Sequence, residues 1–274
     1  PEVQTYAVKN LKKGIEFLEQ QFGVKWDWDA FWKNAEMYNE SSRCMIEKWD
    51  VNCTEHPQVC GAALALQREY EFMAAACMDK FMLKTDRRVT KMMLKGYEQD
   101  KAANAPQPKY RCLVWACPAH YYTNFTYWTQ HCWGVTCVND MEAMLSYQPI
   151  TIGDKEQALA DLVRCYEKMM MRSHTNGGYV NLLDECWKMC EKFHTNIVIM
   201  YDHVSCKNVG GLHGLFEDQA RERGIHLIWI PHDVMDPRTV SRREMREAFS
   251  QYMVTVLNEK PLDPTIVEFD DSMA

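Results

Sequence analysis

The fold of this chain is decided by residues 196–207, which read NIVIMYDHVSCK. From Ile197 to Tyr201 every residue is apolar or aromatic, a pattern typical of a strand buried on both faces of a parallel sheet. Polar residues follow and lead to Cys206. Ligands bind at the carboxyl edge of open α/β sheets, so this strand is expected to deliver Cys206 to such an edge.

The residues after this strand complete a βαβ unit. A helix is expected to begin near Gly211 and to end at Gly224, and residues 227–230 form a second apolar strand. The apolar positions of the helix are Leu212, Leu215, Phe216 and Ala220. Parallel strands need a crossover of this kind, so the two strands are predicted to be parallel.

The same alternation begins at Tyr110. Further strands are predicted over 111–116 and 134–138, and helices over about 121–133, 154–171, 181–194 and from 241 onwards. Capping boxes are expected at Asp154 with Gln157 and at Ser241 with Glu244. We therefore predict an α/β protein in which residues 109–274 form a flavodoxin-like, doubly wound domain with a parallel sheet of about four strands.

The preceding residues, 1–108, are predicted to form a helical interdomain region. Its third helix is expected to run from Ala62 to about Tyr97. The tryptophans around Trp28 are interpreted as helix packing. The basic residues of the third helix are interpreted as a solvated face in preference to an anion site; they are Lys80, Lys84, Arg87, Arg88, Lys91 and Lys95.

Composition narrows the possible classes of function. The formal net charge of −7 argues against a nucleic-acid binder, and no apolar run is long enough to span a membrane. Twelve cysteines without a CxxC pair favour reduced thiols in a cytoplasm over a disulfide framework. The chain begins at Pro1 instead of Met, which favours a fragment or a processed form.

Cys206 is the first candidate for chemistry. It lies between Ser205 and Lys207, whose ammonium group would favour a thiolate. A nucleophile, a metal ligand, an iron–sulfur ligand and an ordinary loop cysteine all fit this position. Cys117 follows an earlier strand in the matching place, although Pro118 favours a simple turn there. If the two strands are neighbours, both thiols lie near the topological switch point.

The other cysteines and the histidines receive structural interpretations. Cys186 and Cys190 share a helix face, and Cys112 and Cys137 lie inside strands, so all four are predicted core residues. Histidines near strand ends and loops are interpreted as hydrogen-bonded polar residues; they are His120, His174, His203, His213 and His232. Motifs of P-loop, dinucleotide, serine-hydrolase and zincin enzymes do not occur, which argues against those classes.

The segment from Ile197 to Glu259 resembles the carboxyl-terminal domain of the 2-hydroxyacyl-CoA dehydratase and benzoyl-CoA reductase superfamily. The residues that carry the resemblance are Ser205-Cys206-Lys207 after a buried strand, Gly224-Ile225, His232-Asp233, Asp236-Pro237-Arg238, Ser241 and Phe249. Residues 111–140, 18–23 and 38–40 resemble other parts of these proteins more loosely. The resemblance thus covers most of the chain.

This resemblance implies an activity, a cofactor and partners. Members pair two related subunits, each of which holds an oxygen-sensitive [4Fe-4S] cluster through three cysteines, and an ATP-dependent activator protein injects one electron. In the dehydratases, the electron turns the acyl-CoA substrate into a ketyl radical anion that expels the hydroxyl group at carbon 2, a syn- or anti-elimination of water. By position, Cys206 matches the carboxyl-terminal cluster ligand. The expected protein is therefore an iron–sulfur lyase subunit of the cytoplasm, with no nucleic-acid or membrane partner.

One departure from the family pattern leaves alternatives open. The family usually has an additional amino-terminal α/β domain that supplies two more cluster cysteines, and no such domain precedes the helices here. A partial chain is the favoured explanation, and a cluster assembled differently or a lost cluster are the other two. Cys117 is a less favoured replacement ligand. A benzoyl-CoA reductase-type subunit and a non-catalytic structural partner of the same fold are the alternatives. Nothing in the sequence selects the acyl group.

Overall fold

The structure, a computed structural model, describes residues 2–61, 63–64, 66, 80–141, 148–168 and 178–268. Within these ranges three long helices come first, and helices then alternate with the strands of one parallel sheet. The predicted fold class, an α/β protein with a helical amino-terminal region, is therefore confirmed. None of the described helices is long and apolar enough to cross a membrane.

The elements are named in chain order. The helices are α1 (Glu2–Phe22), α2 (Trp28–Asn52), α3 (Lys80–Ala102), α4 (Phe125–Trp133), α5 (Lys155–Lys168), α6 (Gly178–Phe193), α7 (Lys207–Gly210), α8 (His213–Arg223) and α9 (Arg242–Thr255). The strands are β1 (Tyr110–Trp115), β2 (Val135–Asp140), β3 (Ile197–His203) and β4 (His226–His232). Short 3₁₀ turns lie at His120–Tyr122 and Pro264–Ile266.

The four described strands form one sheet in the order β2-β1-β3-β4, and every pair is parallel. This is the order of the first four strands of flavodoxin-like folds, as predicted. β1 pairs with β3 from Cys112 to Trp115, and β3 pairs with β4 along its whole length. The strand order reverses between β1 and β3, so the carboxyl ends of these two central strands flank the topological switch point.

Helices cover both faces of the sheet. On one face Tyr201 of β3 contacts Phe125 of α4 at a ring-centroid distance of 6.2 Å. On the other face Trp229 of β4 contacts Phe216 of α8 at 6.3 Å. Trp229 pairs with Met200, the residue before Tyr201, and neighbouring residues of a strand point to opposite faces. This two-sided cover explains why the first five residues of β3 are all apolar and all buried.

β4 forms one edge of the described sheet. His226 N donates to Asn196 O at 2.9 Å, and His232 O accepts from Val204 N at 3.0 Å, so the even-numbered residues of β4 bond towards β3. The backbone N–H and C=O groups of the odd-numbered residues therefore point away from β3. Pro231 is one of these residues, and it has no N–H group. Proline is therefore placed where it breaks no hydrogen bond of the sheet.

Arg111 connects the amino-terminal helices to the sheet. Its side chain donates three hydrogen bonds, from Nε to Phe193 O at 2.9 Å, from Nη1 to Thr54 O at 2.8 Å and from Nη2 to Asn52 O at 2.6 Å. These carbonyls lie at the ends of α6 and α2, so one guanidinium joins both helices to the start of β1. The division into domains at residues 108 and 109 stays a prediction.

α2 and α3 pack around a buried ion pair. Lys48 Nζ lies 2.9 Å from Asp86 Oδ1, and the two side chains are 4% and 1% exposed. Ser41 Oγ donates to the second carboxylate oxygen of Asp86. Buried charges need paired and hydrogen-bonded partners, so this network sets the alignment of the two helices.

Several predicted boundaries are wrong by a few residues. β2 continues to Asp140, beyond the predicted end at residue 138, because its polar end is buried. The helix predicted over 121–133 is a 3₁₀ turn followed by α4, which begins at Phe125. The helix predicted from Ala62 is described only from Lys80; residues 62, 65 and 67–79 lie outside the described ranges.

The two predicted capping boxes differ. At α9 the box is complete, because Ser241 Oγ accepts from Glu244 N and the Glu244 side chain accepts from Ser241 N. At α5, Asp154 Oδ1 accepts from Gln157 N at 3.1 Å, but Gln157 Nε2 donates to Asp161 Oδ1 at 2.9 Å. The second half of that box was predicted wrongly, since a buried carboxylate competes for the glutamine.

Replacing Asp86 with Asn should destabilise the protein strongly. The substitution leaves the buried ammonium group of Lys48 without its carboxylate, and loss of one partner from a buried pair typically costs about 3–5 kcal/mol. Urea unfolding at neutral pH, followed by circular dichroism, measures the change in the free energy of unfolding.

Glu40→Gln is the matched control. Glu40 pairs with Arg87 across the same two helices, but these side chains are 30% and 52% exposed. Exposed pairs contribute about 0–1 kcal/mol, so this variant should lose little stability. Equal losses in the two variants would show that burial does not set the importance of the Lys48–Asp86 pair.

Candidate functional site

The loops after β1, β3 and β4 meet at the carboxyl edge of the sheet. His120 N, in the loop after β1, donates to Val234 O, in the loop after β4, at 2.9 Å. Cys117 follows β1 and Cys206 follows β3, so the two sequence-predicted thiols lie at this same edge, after neighbouring strands. The candidate site is therefore the edge around the switch point.

Cys206 occupies the turn between β3 and α7. Its N–H donates to His203 O at 2.9 Å, and its carbonyl accepts from Gly210 N at 3.1 Å. The residue is half-buried and stands at the amino-terminal cap position of α7, where its side chain makes no capping hydrogen bond. The backbone thus fixes the residue and leaves the sulfur available for another role. Its role as a metal and cluster ligand stays a prediction.

The helix start nearest to Cys206 differs from the prediction. A helix was expected to begin near Gly211, whereas α7 begins at Lys207 and α8 begins at His213. A single turn of four residues is too short to leave a hydrophobic periodicity in the sequence. The N–H groups of α7 therefore follow Cys206 directly.

The loop after β1 holds a thiol beside an imidazole. Cys117 Sγ lies 3.8 Å from His120 Nε2 and 3.9 Å from Pro118 O. The preceding residue, Ala116, has a φ of 66°, in the left-handed region that non-glycine residues rarely adopt. The interpretation of this segment as a simple turn is therefore incomplete, because the turn places a base beside the thiol.

Two histidines lie side by side at the ends of β3 and β4. His203 and His232 are opposite each other in the register, with ring centroids 5.4 Å apart and nearly perpendicular planes. His203 Nδ1 lies 3.0 Å from Ser205 Oγ and accepts from Ser205 N at 3.2 Å. His203 is thus hydrogen-bonded, as predicted.

His232 does not fit the same interpretation. Its side chain is completely buried, and within the described part of the chain neither ring nitrogen makes a hydrogen bond of normal geometry. Burial, and then the neighbouring His203, lower the pKa of His232 to about 4, while the nearby backbone carbonyls of Cys117 and Asp202 oppose the shift. The imidazole is therefore neutral at pH 7 and lies close to the Cys117 backbone.

The Asp-Pro-Arg segment shapes the loop after β4. Asp233 Oδ1 accepts from Met235 N at 2.9 Å and from Asp236 N at 2.8 Å. Asp236 Oδ2 accepts from Arg238 Nη2 at 2.7 Å. Hydrogen bonds from the side chain and the backbone of Arg238 lower the pKa of Asp236 to about 2. These residues hold the loop in one conformation at the edge of the candidate site.

The described residues do not include a complete metal site. Within them, no group of three or more His, Cys, Asp or Glu side chains could hold a metal ion. Among the described residues, Cys206 can offer one sulfur ligand at this edge. The four cysteines that were predicted to be core residues are buried: Cys112, Cys137, Cys186 and Cys190.

Other predicted features have structural explanations. The six basic residues between positions 80 and 95 are all exposed, as expected for a solvated face. Trp32 packs against Ala158 and its neighbours. His213 stacks on Trp229 at 3.5 Å, and His213 Nε2 lies 3.3 Å from Asp202 Oδ2. His174 lies outside the described residues.

A family model described as "2-hydroxyglutaryl-CoA dehydratase, D-component" matches residues 1–253 of the chain. No curated protein matches the chain. The matched range includes the amino-terminal helices, all four strands and the loops that carry Cys117, Cys206 and Asp233. Every strand that positions the candidate site is therefore inside the match.

Replacing His232 with Leu should change how stability depends on pH. The folded-state pKa of about 4 lies below the unfolded value of about 6.5, so the unfolded chain gains a proton first as the pH falls. The wild type should lose about 3 kcal/mol from this group between pH 6.5 and pH 4, and no more below that. Leu cannot titrate, so the variant should lack this loss.

The measurement is the free energy of unfolding of both proteins across that pH range. Titration of carboxylates affects both proteins alike and cancels in their difference. A difference that stays constant from neutral to acid pH would contradict a buried neutral imidazole at position 232.

Proposed function

Because the chain belongs to the 2-hydroxyglutaryl-CoA dehydratase D-component family, we propose that it is one subunit of an enzyme that removes water from a 2-hydroxyacyl-CoA. The match over residues 1–253 is the observation that carries this proposal. It favours a dehydratase over a benzoyl-CoA reductase-type subunit, because the family description names the former activity.

In this proposal Cys206 is one thiolate ligand of a [4Fe-4S] cluster. Two backbone hydrogen bonds at the end of a buried strand give its sulfur a stable position. The start of α7 and the exposed Lys207 follow Cys206 directly. The remaining ligands would come from protein outside the described residues.

Such a cluster supplies one-electron transfer when it is bound. An ATP-dependent activator protein would deliver the electron, and a related second subunit would complete the enzyme as a heterodimer. The acyl-CoA thioester would lie at the carboxyl edge of the sheet, since ligands of doubly wound folds bind outside the carboxyl ends of the strands. The electron would enter its carbonyl group, and the hydroxyl group at carbon 2 would leave from the radical, by syn- or anti-elimination. The absence of disulfide bonds among the described cysteines fits a cytoplasmic location.

A second candidate function is a non-catalytic partner subunit of the same fold. It is favoured by the finding that no group of three potential metal ligands occurs among the described residues. In that case Cys206 would be an ordinary turn residue, and the paired subunit would hold the cluster.

The iron content of a Cys206→Ser variant tests the proposed ligand. The native enzyme, with its partner subunit, is purified without oxygen, and iron and sulfide are measured per mole of this chain. The variant should lose most of the iron of this subunit and most of the dehydration activity, because serine is a poor substitute for a thiolate. Its thermal unfolding should stay cooperative, since a turn thiol adds little buried apolar area.

Cys117→Ser is the matched control, at the same sheet edge but after β1. Under the proposal it keeps the iron content of the wild type. A Cys206→Ser enzyme with full iron and full dehydration activity would support the non-catalytic candidate. Loss of iron in the Cys117 variant as well would mean that both edge thiols are ligands.

A further inference from the structure

The turn after β1 combines a nucleophile with a base. Cys117 Sγ and His120 Nε2 are 3.8 Å apart, and both residues are half-buried at the open edge of the sheet. A neighbouring imidazole can accept the thiol proton, and the resulting thiolate is the nucleophilic form of cysteine. Among the described residues, no histidine makes such a contact with Cys206, which is the other thiol of this edge.

The backbone holds this pair in place. The turn passes through the left-handed conformation of Ala116, which is costly for a non-glycine residue and persists only where the surrounding structure enforces it. A hydrogen bond from His120 N to Val234 O, at 2.9 Å, ties this loop to the loop after β4. The thiol and the imidazole therefore sit on a constrained turn.

An independent observation at the same turn comes from β4. His232 is completely buried, its ring lies near the Cys117 carbonyl, and neither of its nitrogens has a hydrogen bond of normal geometry within the described residues. A buried polar group without a well-formed hydrogen bond is costly, so its presence needs an explanation, and a functional role is one. This buried imidazole, beside the backbone carbonyls of Cys117 and Asp202, thus places a second polar side chain at the Cys117 turn.

We propose that Cys117 is an activated thiol that becomes acylated by acyl-CoA thioesters, with His120 as its base. The choice of acyl-CoA as the electrophile rests on the proposed function, whereas the reactivity of the thiol rests on the turn itself. Acylation of this residue is separate from the role proposed for Cys206.

The chemical step is a transfer between two thiols. His120 takes the proton of Cys117, and the thiolate attacks the carbonyl carbon of the thioester. The bond between that carbon and the CoA sulfur breaks, and the CoA thiolate takes the proton from His120. The products are an S-acyl Cys117 and free CoA thiol, with no oxidation or reduction.

Acetyl-CoA is the first probe for this reaction. The native complex is incubated with it without oxygen, free CoA thiol is followed over time, and the acylated residue is found by peptide mass spectrometry. One acetyl group on Cys117 per CoA released is expected. His120→Gln should slow the acylation about 100-fold, the contribution of a typical general base. Acetylation of several cysteines at similar rates, or an unchanged rate in His120→Gln, would overturn the proposal.

Competitive alkylation gives a measurement that needs no Cys117 variant. Iodoacetamide is added in small amount, and the labelling of Cys117 is compared with that of Cys165, a half-buried thiol whose pKa burial raises. Cys117 should react at least about tenfold faster in the wild type, because the thiolate is the nucleophile. The ratio should fall in His120→Gln, and an equal ratio in both proteins would overturn the role of the base.

The cluster-ligand proposal for Cys206 and the acylation proposal for Cys117 can be rejected independently of each other. Cys206→Ser should keep the acetylation of Cys117 while it loses iron. Acetylation of Cys117 in an enzyme whose iron does not depend on Cys206 would reject the cluster ligand and support the reactive thiol. Loss of iron in Cys206→Ser without any acetylation of Cys117 in the wild type would reject the acylation proposal alone.

Discussion

The pairing of β1 with β3 is the constraint on which the rest of the structure depends. Residues 112–115 lie opposite residues 197–200, and every one of these side chains is completely buried. A parallel pair needs crossover connections, and the helices of those connections provide the cover on both faces. The same pairing sets the carboxyl ends of the two strands next to each other. The positions of Cys117 and Cys206 are thus consequences of how the core is buried.

The sequence predicts the strands well where burial and apolar character coincide. The first five residues of β3 form a continuous apolar run, and all five are buried. Such a run is typical of a central strand in a parallel sheet, which is covered on both faces. β2 was predicted too short because Asn139 and Asp140 are polar yet 0% and 4% exposed. Polarity predicts exposure only on average, and here the neighbouring tertiary structure, which no local pattern reveals, buries both residues.

The candidate site, too, is only partly predictable from the sequence. The placement of Cys206 follows from the end of a clear strand, so the sequence predicts it. The state of His232 depends on the register between β3 and β4, which sets His203 opposite it and encloses its ring. No residue spacing in the sequence predicts the register between these two strands. Likewise the approach of His120 to Cys117 depends on the left-handed backbone conformation of Ala116. An alanine in the sequence does not predict that conformation, because non-glycine residues rarely adopt it.

The outward side of β4 limits how another protein can meet this flank of the molecule. A strand added beside β4 would have to bond with its odd-numbered residues, and at Pro231 it would find no donor. Any recognition there must consequently depend on the shape and chemistry of side chains, such as the half-buried indole of Trp229, whose Nε1 already donates to Glu217 at 3.2 Å. Backbone addition is indifferent to sequence, whereas side-chain recognition is selective. One proline thus disfavours the addition of a strand at the β4 edge of the described sheet.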